Sequence, residues 1–521
     1  MECGFLSLMA LLVGVFLIFC VKPEEKFNVF AIISLIALGT FAIPLFNSLS
    51  LGNISEINTG YQLFSQGLKI IIDPLSAFIG TIFILSLLFY ILKLFIDNYK
   101  QKLFMPEVLM LMVFLLVFMF SVQNSMYFLI AYFAVNGILL FWNMAFNDGK
   151  NFSQFKQLSL YTLNFCVFIA IMMLSVLSND CTFPSIVKHL VNNSILANTA
   201  FCLLATGFGI PFLFSNKLFF TTDSLCAYKH NELIIRSLFY IICFYGLLRF
   251  ISMGVAPNVF CNTIIVSGII AFTVIKLLQL IKCNNILHVY TKMYELHTIL
   301  VVLSVIVGIN GYLFKVPLIA ILGFIAAFML MINVLLCSYS LERDIVVDDK
   351  KETICADKLS LVGMYSYSCL PFTLGFASLY FLAGAFLIGI FTANIYLRVF
   401  SWCVLFFVVA VIICQLYKII RIMKKCYIEE GSNYVGKLNR STILFSGLII
   451  LTGIFPQVLF KFIQVPVSYL VGGTKYIEIF KAVYSFLNTW SIYCLGFIGL
   501  IAAYIIVKIL VLRFLKPHSK V

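Results

Sequence analysis

Charge is what this 521-residue sequence has least of: Asp, Glu, Lys and Arg together make up 11% of it, against 63% hydrophobic residues. So little polar surface cannot cover a water-soluble domain, which excludes a soluble enzyme or binding module as the body of the protein. Cysteine pairing is also missing. The 16 cysteines stand singly inside apolar runs, as at Cys20, Cys166, Cys243, Cys414 and Cys494, with no CxxC pair. They read as small hydrophobes, not as a disulfide framework. No Gly-rich phosphate loop, His/Cys metal cluster or nucleophile motif occurs. Hence no catalytic site, metal or cofactor is expected, and any redox chemistry belongs to other chains. The first ten residues hold Glu2 and no Lys or Arg, so the opening apolar block lacks the basic flank of a cleaved signal and is expected to remain as a span.

What the sequence does have is a long series of apolar blocks, each about 20 residues, the length that crosses a bilayer as a helix. They predict an all-α polytopic membrane protein of about 14–15 transmembrane helices. The expected spans cover residues 3–21, 27–48, 74–96, 106–122, 125–146, 155–178, 196–218, 233–253, 258–281, 295–313, 316–338, 362–390, 396–421, 441–463 and 489–512. The last of these either crosses or lies against neighbours as a C-terminal helix. The net charge of +14 belongs to topology and not to a nucleic-acid partner, because most Lys and Arg fall in the joints after odd-numbered spans. Lys22, Lys26, Lys93, Lys100, Lys102 and the basic residues of 343–358 and 418–440 are of this kind. The alternation places the N-terminus outside and the C-terminus in the cytoplasm.

Two spans read as interrupted. In the seventh, Gly207, Gly209 and Pro211 stand mid-membrane, where proline removes a backbone hydrogen bond, so a break is expected there. In the twelfth, Pro371, Gly375, Gly384 and Gly389 punctuate an apolar stretch too long for one straight span. Weakened segments five spans apart are the pattern of an inverted repeat with an ion or substrate path at the breaks, although proline and glycine are also common in membrane helices generally.

A family resemblance follows from several segments in order. Asp73-Pro74-Leu75-Ser76-Ala77-Phe78, opening the third span, resembles the D-x-L-S-x-F signature of antiporter-like membrane subunits. These are the proton-pumping subunits of NADH:quinone oxidoreductase (complex I), related hydrogenase subunits and Mrp-type cation/proton antiporter subunits. Residues 118–133, 156–161 and 281–290 resemble further family segments, as do Gly207-Phe208-Gly209, Tyr245-Gly246-Leu247-Leu248-Arg249 and Leu382-Ala383-Gly384. The resemblance spans about residues 70–400 and implies two inverted five-helix repeats with helices 7 and 12 broken. The implied division is 1–105 for helices 1–3, 106–253 and 254–425 for the two halves, and 426–521 for helices 14–15. It further implies sister antiporter-like subunits as partners in a bacterial inner membrane.

The departures from the family pattern concern its chemistry. Where the family carries a buried fifth-span glutamate, this sequence has Asn136. The seventh-span lysine falls on Ile210 or Pro211, the eighth-span lysine on Ile241, and the eleventh-span His and Lys within the uncharged stretch 324–332. The twelfth-span lysine aligns with Asn394, and the preceding proline pair with Phe386 and Leu387. Asparagine does not exchange a proton near neutral pH, and Ile or Pro side chains carry neither charge nor donor. The expected function is therefore a membrane subunit of a proton- or cation-translocating complex with a degenerate relay. The alternatives are a non-transporting assembly subunit and, further off, an independent secondary transporter.

Among residues that remain titratable, Lys276 lies well inside an apolar span. It is either an ion-pathway residue or, as the nearby Lys282 favours, a lysine that snorkels to the cytoplasmic end. Lys217 is read first as a span-end lysine and second as a replacement for the lost seventh-span lysine. His297, with Glu295 and His288, is a candidate proton entry set against the commoner isolated interfacial histidine. Glu232 and Arg236, four apart, are expected to pair on one helix face. Glu107 and Asp73 read as helix N-terminal charges.

Overall fold

The computed structural model describes residues 3–22, 24–51, 55–63, 66–96, 105–146, 154–176, 178, 181–191, 193–213, 230–283, 286–340, 346–347, 354–355, 361–424, 440–472 and 476–514. The chain is a multi-pass integral membrane protein of helices, with two short antiparallel β-hairpins between them. Among the described residues nine helices are long and apolar enough to cross a bilayer, or ten if one sharply bent pair counts as a single span, and four shorter apolar helices accompany them.

The first helices, α1 (Cys3–Cys20) and α2 (Lys26–Leu51), lead into strands β1 (Ser55–Leu63) and β2 (Gln66–Ile72). This hairpin occupies a stretch expected to be a plain joint. Its period-2 pattern is short and polar, and the apolar blocks on either side dominate the sequence signal. Directly after it, α3 (Pro74–Ile96) starts on proline, whose missing N–H costs nothing at a first helical position. The Asp73 carboxylate accepts the Ser76 N–H at 2.8 Å and so caps the same end. Helices α4 (Met105–Ser121), α5 (Ser125–Phe146) and α6 (Gln154–Val176) follow, then a short amphipathic helix, α7 (Phe183–Val191), that buries Phe183, Ile186 and Leu190 and exposes Lys188 and His189.

Helix α8 (Ser194–Leu204) carries the expected irregularity at the seventh span, in a milder form than a break. Ala205–Gly209 form one π-helical turn and helix resumes from Ile210 to residue 213. Widening one turn N-terminal to Pro211 accommodates the missing N–H and the ring without ending the helix. Gly207 is needed there, since a Cβ would stand 2.3 Å from Val167 Cγ2 and 3.0 Å from the Leu163 carbonyl oxygen on α6.

Helices α9 (His230–Ile251), α10 (Val259–Lys282), α11 (Ile286–Leu313) and α12 (Pro317–Ser340) form the second series. The last two are buried along nearly all of their length and make the centre of the molecule. Their close approach rests on glycine: a Cβ on Gly323 would meet the Gly308 nitrogen at 2.5 Å. After hairpin β3 (Val346–Val347) and β4 (Ile354–Cys355), the twelfth span is broken as expected, into α13 (Leu361–Tyr367) and α14 (Leu374–Phe391). The break surrounds Pro371, with Cys369 and Phe372 at φ 52° and 68°. Gly384 and Gly389, expected among the breaks, lie within continuous helix. At Gly389 the small residue serves packing, since a Cβ would sit 2.0 Å from Ser401 Oγ on the next helix.

That helix, α15 (Ile395–Lys424), precedes α16 (Arg440–Ile454) and α17 (Pro456–Val471), which the apolar run had suggested as one span. They are bent by 77° at Phe455. Gly453 lets this bend sit on the α13–α14 break, because a Cβ there would come within 2.5 Å of the Phe372 carbonyl oxygen. The final helix, α18 (Ile477–Phe514), lays Trp490 on Phe376 and Phe497 on Phe372, ring centroids 5.4 and 5.5 Å apart.

Candidate functional site

Burying a lone ammonium in an apolar helix bundle is costly, so a lysine there must find a carboxylate or reach water. Lys276 does the former. Its side chain is 2% exposed, and Nζ donates to Glu295 Oε2 at 2.6 Å while lying 4.9 Å from the Phe272 ring centroid. The snorkelling expectation is thereby corrected: α10 and α11 run back to back across the short 283–285 joint, which sets position 276 opposite position 295 and makes a partner nearer than solvent. Glu295 also accepts from Lys292 at 3.0 Å, one turn away on α11. The result is a carboxylate held between two ammonium groups, one enclosed and one that is 15% exposed.

Two residues beyond Glu295, His297 is fully buried. Its Nε2 lies 3.0 Å from Asn333 Nδ2 on α12. The amide orientation follows from its other end, where Asn333 Oδ1 accepts from Ser366 Oγ at 2.6 Å and from Cys337 Sγ at 3.5 Å. Nε2 is therefore the acceptor, and the network assigns the imidazole proton to Nδ1. Nδ1 has no full hydrogen bond, with the Tyr367 backbone beside it and the Tyr367 ring centroid 5.1 Å from that of the imidazole. Ser366 in turn accepts the Gly375 N–H at 3.3 Å, joining the two halves of the broken helix. A histidine that gives or takes a proton here is thus wired through an amide and a hydroxyl to the break itself.

Gly375 is sterically obligatory in this arrangement, since a Cβ would stand 1.9 Å from the Ser366 carbonyl oxygen. Gly375→Ala is expected to destabilise the fold by about 1–3 kcal/mol through overpacking and to loosen the Ser366–Asn333 bond. Thermal unfolding in detergent checks the first effect. Faster amide hydrogen exchange confined to α13 and the start of α14 checks the second.

An aromatic and cationic line runs from α9 toward the same place. The Arg236 guanidinium lies 5.1 Å from the Tyr294 ring centroid, and Tyr240 is 6.4 Å from Tyr294. Tyr290 and Tyr367 are 5.6 Å apart. Arg236 is buried, which its four-residue spacing from Glu232 did not reveal. The Glu232 side chain lies outside the described residues, as does Lys217.

Among the described residues before α10 there is no equivalent cluster. Asn136 is buried beside Asn164, whose Oδ1 lies 3.5 Å from Asn136 Nδ2 and accepts from the Tyr132 hydroxyl at 2.9 Å. Both amides are neutral, so this cluster can order but cannot relay a proton by titration. Ile241 and residues 324–331 are buried. Asn394, expected on the ion path, caps α15 instead, with Oδ1 accepting the Leu397 N–H at 3.2 Å. Thr392–Asn394 is the turn between two helices, and asparagine is a preferred N-cap residue.

Four further groups have these placements. Glu107 pairs with Lys26. His288 is half-buried at the start of α11. Asp73, before α3, pairs with Arg249, near the end of α9, and also accepts from the Tyr469 hydroxyl at 3.3 Å. The Arg249 guanidinium lies 4.6 Å from the Phe183 ring centroid. Lys93, read as a span-end lysine, is buried and donates to the Tyr339 carbonyl at 2.7 Å, closing the C-terminal end of α12.

The sequence matches no protein-family model and no curated protein. The fold does have solved counterparts. A chain of the Mrp complex from Dietzia sp. is 12% identical with a TM-score of 0.65, over 92% of this chain and 99% of that one. A chain of respiratory complex I from Thermus thermophilus is 16% identical with a TM-score of 0.63, over 90% and 100%. A chain of the membrane-bound sulfane sulfur reductase, an archaeal respiratory membrane complex, is 11% identical with a TM-score of 0.63, over 92% and 99%. The fold shared with these chains thus accounts for nearly the whole chain.

Proposed function

We infer that the chain is a membrane subunit of a multisubunit complex that translocates protons or cations, with its transport groups kept in the second half and lost from the first. The observation that carries this reading is the buried Lys276–Glu295 pair next to a buried His297 wired to the break between α13 and α14. Ionisable groups so placed in a membrane are expensive and are characteristic of ion paths. The fold supports the rest: its counterparts are chains of membrane complexes. In this reading the division 1–105, 106–253, 254–425 and 426–521 holds, the two central parts being inverted repeats. The N-terminus faces outward from a bacterial inner membrane, and sister antiporter-like subunits flank the chain.

A second reading, a non-transporting assembly subunit, is favoured by the neutral Asn136–Asn164 cluster where the family has a carboxylate. One preparation separates the two. The native membrane is solubilised gently, the chain captured by a C-terminal tag, and the copurifying complex reconstituted into vesicles. Sister antiporter-like subunits are expected to copurify. Lys276→Met is expected to lower proton or cation flux at least about tenfold, as for an essential intramembrane charge, while Asn136→Leu leaves it unchanged. Equal flux in the Lys276→Met complex would make the assembly reading the correct one. A chain recovered alone would overturn both.

A further inference from the structure

Two thiols on helices of different halves face each other at one end of the molecule. Asn198 on α8 and Asn258, the N-cap of α10, are joined by a 2.8 Å bond from the Asn258 N–H to Asn198 Oδ1. One turn further along each helix stand Cys202 and Cys261. The levels match because four residues of α8 and three of α10 both advance about one turn. Cys202 stands one turn beyond Asn198 on the same face of α8, on the side where Asn198 meets Cys261, and the two cysteine side chains interact. Asn198 Nδ2 donates to Cys261 Sγ at 3.4 Å, and the Cys261 N–H is held by Asn258 Oδ1 at 2.8 Å. Both cysteines are half-buried. Cys337 and Cys369, by contrast, are both buried out of reach of any solute.

We propose that Cys202 and Cys261 form a reversible disulfide that latches α8 to α10. The reaction needs a disulfide oxidant of low molecular weight. The Cys261 thiolate, with the Asn198 amide donor at its sulfur, attacks one sulfur of the oxidant RSSR, forming a mixed disulfide and expelling one thiolate. The Cys202 thiol then loses its proton and attacks the Cys261 sulfur, expelling the second thiolate. The sum is two protein thiols and RSSR giving one protein disulfide and two RSH. The latch closes immediately before the π-helical turn at Ala205–Gly209, to which the Cys202 carbonyl is tied by the Thr206 hydroxyl at 2.7 Å. It therefore restrains that irregular segment against the second half. In the outward orientation proposed above, α8 and α10 both begin on the outer face, where disulfides persist.

The latch does not depend on ion translocation, and its test reads no flux. Native membranes are incubated with oxidised glutathione, denatured, alkylated with N-ethylmaleimide and digested for mass spectrometry. A linked Cys202–Cys261 peptide is expected, with alkylation of both cysteines falling at least about tenfold and returning after dithiothreitol. Cys337 and Cys369 are expected to remain fully alkylated. In Cys202→Ser, Cys261 is expected as a glutathione adduct, showing that it is the attacking thiol. Recovery of both cysteines as maleimide adducts in the oxidised wild type, or of Cys261 only as a glutathione adduct there, overturns the proposal.

Discussion

Replacing Glu295 by leucine is expected to destabilise the folded chain by about 3–5 kcal/mol, more than replacing Lys276 by methionine does. The asymmetry comes from what each substitution leaves behind. Without Glu295, the enclosed Lys276 ammonium loses its carboxylate, and the Phe272 face beside it offsets only about 2 kcal/mol of that. Without Lys276, the carboxylate keeps Lys292 at 3.0 Å, whose head group is partly solvated. The double substitution replaces the buried pair by apolar side chains of similar volume and is expected to recover most of the loss. Unfolding in detergent of the wild type, both single variants and the double variant measures the coupling. Losses that simply add, or a Lys276→Met protein less stable than Glu295→Leu, would show that the carboxylate is balanced elsewhere.

This pair also shows where sequence reading ends. The apolar blocks carry the spans directly, and Pro371 marks the real discontinuity of the twelfth, since proline acts on the local backbone. Glycine does not announce its role in the same way. Gly384 and Gly389 look like punctuation but sit in unbroken helix, and at Gly389 the absent side chain makes room for Ser401. The 77° bend at Phe455 leaves no mark in hydropathy, which continues through it, although Pro456 is a preferred first helical residue. Partnerships were the least legible part. Lys276 and Glu295 were each noticed, yet nothing in the spacing of residues on two helices states that they meet. Asp73 and Arg249, 176 positions apart, stand in two separate segments of the sequence resemblance, and neither segment alone states that they form one ion pair.

The two buried pairs differ in a way that pH exposes. Asp73→Leu is expected to cost about as much as Glu295→Leu, about 3–5 kcal/mol, because Arg249 is 2% exposed and its remaining neighbours are the Tyr469 and Tyr245 hydroxyls and the Phe183 face. Arg249→Met is expected to be milder. The Asp73 carboxylate it leaves keeps the Ser76 N–H and the Tyr469 hydroxyl, and an aspartate can also take up a proton. Lysine can shed its proton near pH 10, about its ordinary value, whereas guanidinium stays charged throughout the accessible range. Raising the pH from about 7 to about 10 should therefore relieve the Glu295→Leu defect and leave the Asp73→Leu defect in place. The sign follows from proton counting: where the unfolded chain binds more protons than the folded one, stability rises with pH, and in Asp73→Leu the arginine binds the same number in both states. Unfolding midpoints of both variants, each referred to the wild type at the same pH, measure this. A parallel response would mean that Lys276 stays charged after losing Glu295. In that case polar groups other than the single carboxylate hold the Lys276 charge at the α10–α11 interface.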